Sequence, residues 1–84
     1  MNYDVIDVQP LDHLHLNVKF RDGLKGKVIF KESHLSGVFE ALKNPTLFSR
    51  VNCEHGFVEW PGDIDLAPDA MYEEVKKNGV WELV

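Results

Sequence analysis

The stretch His13-Leu14-His15-Leu16-Asn17-Val18-Lys19-Phe20-Arg21-Asp22-Gly23-Leu24-Lys25-Gly26-Lys27-Val28-Ile29-Phe30 decides the fold. Leu14, Leu16, Val18 and Phe20 alternate with His13, His15, Asn17 and Lys19, the period-two pattern of a strand with one dry face and one wet face. Asp22-Gly23 marks the reversal. A two-residue loop would set Val28 on the face of Asn17 and waste the apolar pattern. A three-residue loop, Arg21-Asp22-Gly23 with Gly23 left-handed, instead pairs Phe20 with Leu24, Leu16 with Val28 and Leu14 with Phe30 on one face. The spacing therefore predicts the longer loop. It also sets Lys19 opposite Lys25 on the wet face, a like-charge pair that Asp4 or Asp7 is placed to relieve.

Outward from the hairpin, Val5, Ile6 and Val8 mixed with acids predict a first strand over residues 3–8, ended by Pro10. Beyond it, Leu35, Val38, Phe39 and Leu42 are spaced for one face of a short helix over residues 33–43, with Gly37 weakening its start. Asn44-Pro45 reads as a cap and a first-turn proline opening a further helical turn through Phe48. Residues 49–53 and 57–60 read as a second hairpin around Glu54-His55-Gly56, with Pro61-Gly62 stopping its last strand. Pro68 begins a final helix, Asp69 and then Lys76 and Lys77 match its dipole, and Asn78-Gly79 ends it. Met71, Val75 and Tyr72 form its buried side. The tail over residues 80–84, with Val80, Trp81, Leu83 and Val84, is apolar beyond what a loose end needs, so it returns to the core or sits in a partner.

The resulting order, β-β-β-α-β-β-α, predicts an α+β domain: an antiparallel sheet of about five strands with helices packed on one face. The 84 residues make a single domain, and hydrophobic content of 44% is enough for a core. One cysteine excludes an internal disulfide framework. With no signal peptide or membrane span in sight, the expectation is a reduced, cytoplasmic protein.

A net charge of −5 argues against nucleic acid as the main partner. The charge is uneven, however. Lys19, Arg21, Lys25, Lys27 and Lys31 face only Asp22 in their stretch, while from Glu54 onward carboxylates dominate over Lys76 and Lys77. The basic run is explained by lysines guarding exposed strands, with nucleic-acid binding as the alternative.

The chemistry-bearing residues are sparse. His13 and His15 fall on one strand face, and Cys53 and His55 lie two residues apart. None shows a metal-ligand spacing or a helix N-terminus that would activate the thiol, so no catalytic, metal or cofactor set is expected. Asp63, Asp65 and Asp69 crowd the turn before the last helix, where Asp65 reads as a helix cap and Asp69 as a dipole partner, leaving Asp63 without a structural role. Trp60 reads as a core ring or a partly exposed anchor, and Trp60, Asp63, Trp81 and Leu83 are the candidate partner-binding residues, since tryptophan is enriched at interface hot spots. The isomer of the Trp60–Pro61 bond stays open.

The blocks Gly37-Val38-Phe39-Glu40-Ala41-Leu42-Lys43-Asn44-Pro45-Thr46-Leu47-Phe48-Ser49-Arg50-Val51, Val58-Glu59-Trp60-Pro61 and Asp65-Leu66-Ala67-Pro68-Asp69-Ala70-Met71-Tyr72, with Val8-Gln9-Pro10-Leu11 and Phe20-Arg21-Asp22-Gly23, resemble the bacterial family called domain of unknown function 2442. The likeness spans about residues 3–73. It implies a small α+β domain with no assigned activity, either stand-alone or joined to a helix-turn-helix, and in some members encoded beside another small protein as in a toxin–antitoxin pair. Ala67, where a polar residue often precedes the proline, and the Trp81 tail depart from the pattern. The leading expectation is a non-enzymatic protein-interaction module, with an antitoxin-like role in a two-protein system and a neighbour-encoded partner or a second copy as the occupant. A nucleic-acid-associated regulator comes second, and a small metal-binding or hydrolytic protein using His13, His15, Cys53 or His55 third.

Overall fold

Six strands and two α-helices run through the described residues, and the hairpin forms in the register its side chains demand. A computed structural model describes residues 3–83, apart from the side chains of His34 and Val38, so the Val38 and Val84 assignments lie outside the described residues. Strands β2 (His15–Phe20) and β3 (Lys25–Phe30) pair antiparallel, with Leu16 opposite Val28 and Lys19 opposite Lys25. Gly23 sits at φ 94°, and Phe20 donates its N–H to the Leu24 carbonyl at 2.8 Å. The Asp22 carboxylate accepts the Leu24 N–H at 3.0 Å, the local bond that fixes such turns. Strand β1 (Val5–Pro10) lies on the far side of β2, placing Asp7 across from Lys19, and Asp4 pairs with Arg21 at 3.5 Å.

The sheet differs from expectation in its last strand. The apolar tail is β6 (Val80–Leu83), hydrogen-bonded parallel to β3, so the sheet is mixed, four-stranded, in the order β1-β2-β3-β6. A parallel neighbour needs a long crossover, and the helices and turns between β3 and β6 provide one. The other two strands, β4 (Glu59–Trp60) and β5 (Ile64–Asp65), form a separate two-stranded sheet. This replaces the predicted five-stranded antiparallel sheet.

The second predicted hairpin shrinks to a single bridge between Asn52 and Glu59, although its turn is present, with the Gly56 N–H on the Cys53 carbonyl at 3.1 Å. Pro61-Gly62 ends β4 at Trp60, as expected, and turns the chain into β5: Gly62 at φ 97° and Asp63 at φ 62° close the β4–β5 loop. Aspartate tolerates this left-handed backbone, which gives Asp63 a structural role. Every peptide bond among the described residues is trans, Trp60–Pro61 included.

The predicted helix over residues 33–43 is instead two 3₁₀ segments, Glu32–His34 and Gly37–Lys43. Leu35 and Ser36 leave the helical backbone between them, and Gly37 opens the second segment at φ 59°. The following cap is as read: the Asn44 side chain accepts the Thr46 N–H at 2.9 Å at the start of α1 (Pro45–Phe48). Helix α2 (Pro68–Asn78) starts on its proline and ends at left-handed Gly79. Its cap is Ala67, with no side-chain bond, and Asp65 lies in β5 opposite Glu59. Proline at the first helical position fixes the cap as the residue before it, so Asp65 is too far upstream to serve.

One face of the sheet supplies Val8, Leu16, Val18, Phe20, Val28 and Phe30 to the core. Leu35, Leu42, Phe48, Val58, Trp60, Leu66, Met71 and Val75 cover that face from the other layer. The opposite face, with Gln9, Asn17, Lys25 and Lys27, stays exposed.

Candidate functional site

Two parts of the sheet remain available to a partner: its open face and one of its edges. On the open face, a shallow groove of about 580 Å³ runs across β1, β2 and β3, between Asp7, Gln9, Asn17, Lys19, Lys25 and Lys27. The five cations of the hairpin do not form one patch. Arg21 is held by Asp4 at 3.5 Å, and Lys31 reaches Glu82 at 4.0 Å. Lys19, Lys25 and Lys27 alone line the groove.

The two edges differ. Edge β1 is blunted: a bulge between Val5 and Asp7 leaves Ile6 unpaired and 46% exposed, Pro10 lacks an N–H, and the Val5 N–H is taken by the Gly56 carbonyl at 2.9 Å. Bulges and prolines of this kind protect edges from further pairing. Edge β6 has a regular backbone. Lys27 donates its N–H to the Gly79 carbonyl at 3.3 Å and Lys31 to the Leu83 carbonyl at 3.1 Å. Strand alternation then turns the main-chain groups of Gly79, Trp81 and Leu83 toward β3, and those of Val80 and Glu82 outward. A groove of about 370 Å³ lies alongside, lined by Glu74 and Asn78 of α2 and by Val80, Trp81 and Glu82.

Of the residues named as partner-binding, Trp60 is 2% exposed and belongs to the core, where its Nε1–H donates to the Phe48 carbonyl at 2.9 Å. Asp63 sits exposed in the β4–β5 turn. Trp81 and Leu83 share β6, half-buried opposite Val28 and Phe30. Only these last two belong to one surface. Composition flagged the tail, but nothing in five residues shows that it forms a parallel edge strand, because parallel pairing leaves no turn signal nearby.

The histidines and the cysteine are dispersed. Leu14, buried but at φ 70°, interrupts the extended backbone before β2 begins, and the His13 ring sits edge-on to Phe48 at 5.5 Å. His15 is half-exposed in β2, opposite Ile29. Burial, and secondarily the charges of Asp7 and Glu54, push the Cys53 thiol up, which disfavours the thiolate. His55 bonds Glu59 through Nδ1 at 2.6 Å rather than serving the thiol. Among the described residues, no group of three or more His, Cys, Asp or Glu is placed to hold a metal ion. None of their helices is long and apolar enough to cross a membrane.

The His55–Glu59 bond has a pH signature. The bond to Glu59 and then its charge raise the His55 pKa above the ordinary 6.5. A folded-state pKa above the unfolded value adds stability that is complete below about 6.5 and is lost as pH rises through the raised value. Urea midpoints should therefore fall as pH rises from the ordinary 6.5 through the raised His55 value, and His55→Gln should flatten that fall. An equal fall in the variant would assign the pH dependence elsewhere.

The sequence model of a family described as "Protein of unknown function (DUF2442)" matches residues 5–77. No curated protein and no solved structure matches the chain.

Proposed function

The chain belongs to the DUF2442 family, whose description assigns no activity, and we propose that it is a non-enzymatic protein-interaction module that docks a partner on the edge of β6. The observation that carries this is the contrast between the two sheet edges. One is bulged, capped by Gly56 and interrupted by Pro10; the other is regular and bordered by a groove. An extended segment added to β6 would bond the outward N–H and C=O groups of Val80 and Glu82 and cover the exposed part of Trp81.

The occupant proposed is a basic segment of a second protein, encoded beside this one. Glu74 and Glu82 border the groove and the whole chain carries a net charge of −5, so a basic strand is favoured over an acidic one. A second copy would bring another −5 with it, which disfavours self-pairing. This is an antitoxin-like arrangement, in a cytoplasmic setting, in which an acidic domain holds a basic partner.

Glu82→Pro is the discriminating variant. It deletes an N–H that points away from β3, where an edge strand tolerates proline, and so leaves the existing ladder intact. Co-expressed with the neighbour-encoded protein, the wild-type chain should co-purify with it, and Glu82→Pro should weaken that association at least about tenfold, about 1.4 kcal/mol. A folded Glu82→Pro chain that binds as the wild type does, or a wild-type chain recovered as a monomer without that neighbour, would overturn the proposal.

A further inference from the structure

The lysines of the open face lack the explanation that lysines on strands usually have. Lysine guards sheet edges, yet β2 and β3 are the interior strands of the sheet. Lys19 and Lys25 stand directly opposite one another, an arrangement that destabilises a sheet rather than supporting it. Lys27 follows two residues along the same face, opposite Asn17. Among the described residues, none of the three lies within ion-pair distance of a carboxylate. Among the described residues, Asp7 is the one acid lining their groove, in a chain whose overall balance is acidic.

The spacing defines what would neutralise them. Directly opposed side chains start about 5 Å apart, and alternate or diagonal ones about 7–8 Å apart, so the three flexible lysines stand close enough on one face to reach a single ligand. Lysine serves phosphate as a mobile point charge, and Asn17 adds an amide donor at the same groove, where the Gln9 amide donates to Asp7 at 3.2 Å. We propose that this groove binds a compact anion carrying two or three phosphate groups in series. An extended nucleic acid fits less well. Single-strand binders offer aromatic platforms, and this groove is lined by none; duplex binders spread their cations over many phosphates. The site is separate from the β6 edge and does not depend on the docking proposed there.

The test is amide-resolved NMR of the full chain titrated with sodium triphosphate at low ionic strength, beside a single-stranded oligonucleotide. Saturable shifts centred on Asn17, Lys19, Lys25 and Lys27 are expected. Lys25→Ala should weaken them about tenfold or more, while Lys43→Ala leaves them unchanged, and added salt should weaken binding. Both variants alter exposed side chains, and a preserved spectrum of the core amides verifies their folding. No saturable shift, equal binding by Lys25→Ala, or tighter binding of the oligonucleotide that grows with its length would overturn the proposal.

Discussion

Replacing Trp60 with alanine should lower the unfolding free energy by about 3–5 kcal/mol. The ring is 2% exposed, with centroids 5.9 Å from Phe30 and 5.8 Å from Phe48, so its removal opens a cavity where the two sheets meet. It also strands the Phe48 carbonyl, whose bond to the indole Nε1–H at 2.9 Å would have no replacement in a dry site. A domain of 84 residues has little reserve, with total stability of roughly 5 kcal/mol. Trp60→Ala should therefore keep only about 0–2 kcal/mol and be partly unfolded at room temperature, as read by near-ultraviolet circular dichroism. Trp60→Phe keeps much of the packing and loses the bond, and should cost about 1–3 kcal/mol in urea titrations. A folded Trp60→Ala chain destabilised by less than about 1 kcal/mol would mean that the ring does not join the two layers.

The second large effect is expected at Gly26. A Cβ there would lie 2.3 Å from Val75 Cγ1 and 3.0 Å from the Gly79 carbonyl oxygen. The valine is 2% exposed and walled in. The carbonyl is held by the Lys27 N–H at 3.3 Å, and the same residue closes α2 by donating to the Val75 carbonyl at 2.7 Å. Neither neighbour can retreat without lifting α2 or β6 from the sheet. Gly26→Ala should cost about 1–3 kcal/mol. Adding Val75→Ala makes room for the new methyl, so the double variant should be destabilised by less than the sum of the two single changes. Additive losses would show that close packing of the helix is not what requires glycine.

Gly26 also shows how far the sequence could be read. Glycine within a strand pattern signals a close approach of backbone, but the approaching element, α2, lies some fifty residues on and leaves no mark nearby. Much of what depended on local chemistry was legible. The three-residue loop followed from which faces Leu16 and Val28 had to share, the Asn44 cap from its acceptor before Pro45, and the ends of α2 from Pro68 and Gly79. What depended on distant pairing was not. Trp60 reads as a core ring with an interface anchor as the alternative until Phe48 and Phe30 are seen beside it. Asp65 is near enough to α2 in sequence to suggest a cap, and only the pairing of β4 with β5 reveals its place across from Glu59. The β6 edge, on which the proposed function rests, is the extreme case, because its neighbour in the sheet is a strand completed at Phe30.

Tyr72 makes the same connection from the other side. Its hydroxyl donates to the Asp22 carboxylate, and that bond, more than the backbone N–H of Leu24, holds the Asp22 carboxyl below its ordinary range. The tip of the first hairpin is thus tied to the helix that leads into β6. Helix α2 and the β2–β3 hairpin together set where that edge lies.

Hydrogen exchange of the β6 amides, measured with and without the neighbour-encoded protein, tests strand addition most directly. The outward amides of Val80 and Glu82 should exchange rapidly in the free chain and become protected about a hundredfold or more in the complex, while those of Trp81 and Leu83, already bonded to β3, change far less. Unchanged exchange at Val80 and Glu82 in a saturated complex would show that the partner does not dock on this edge.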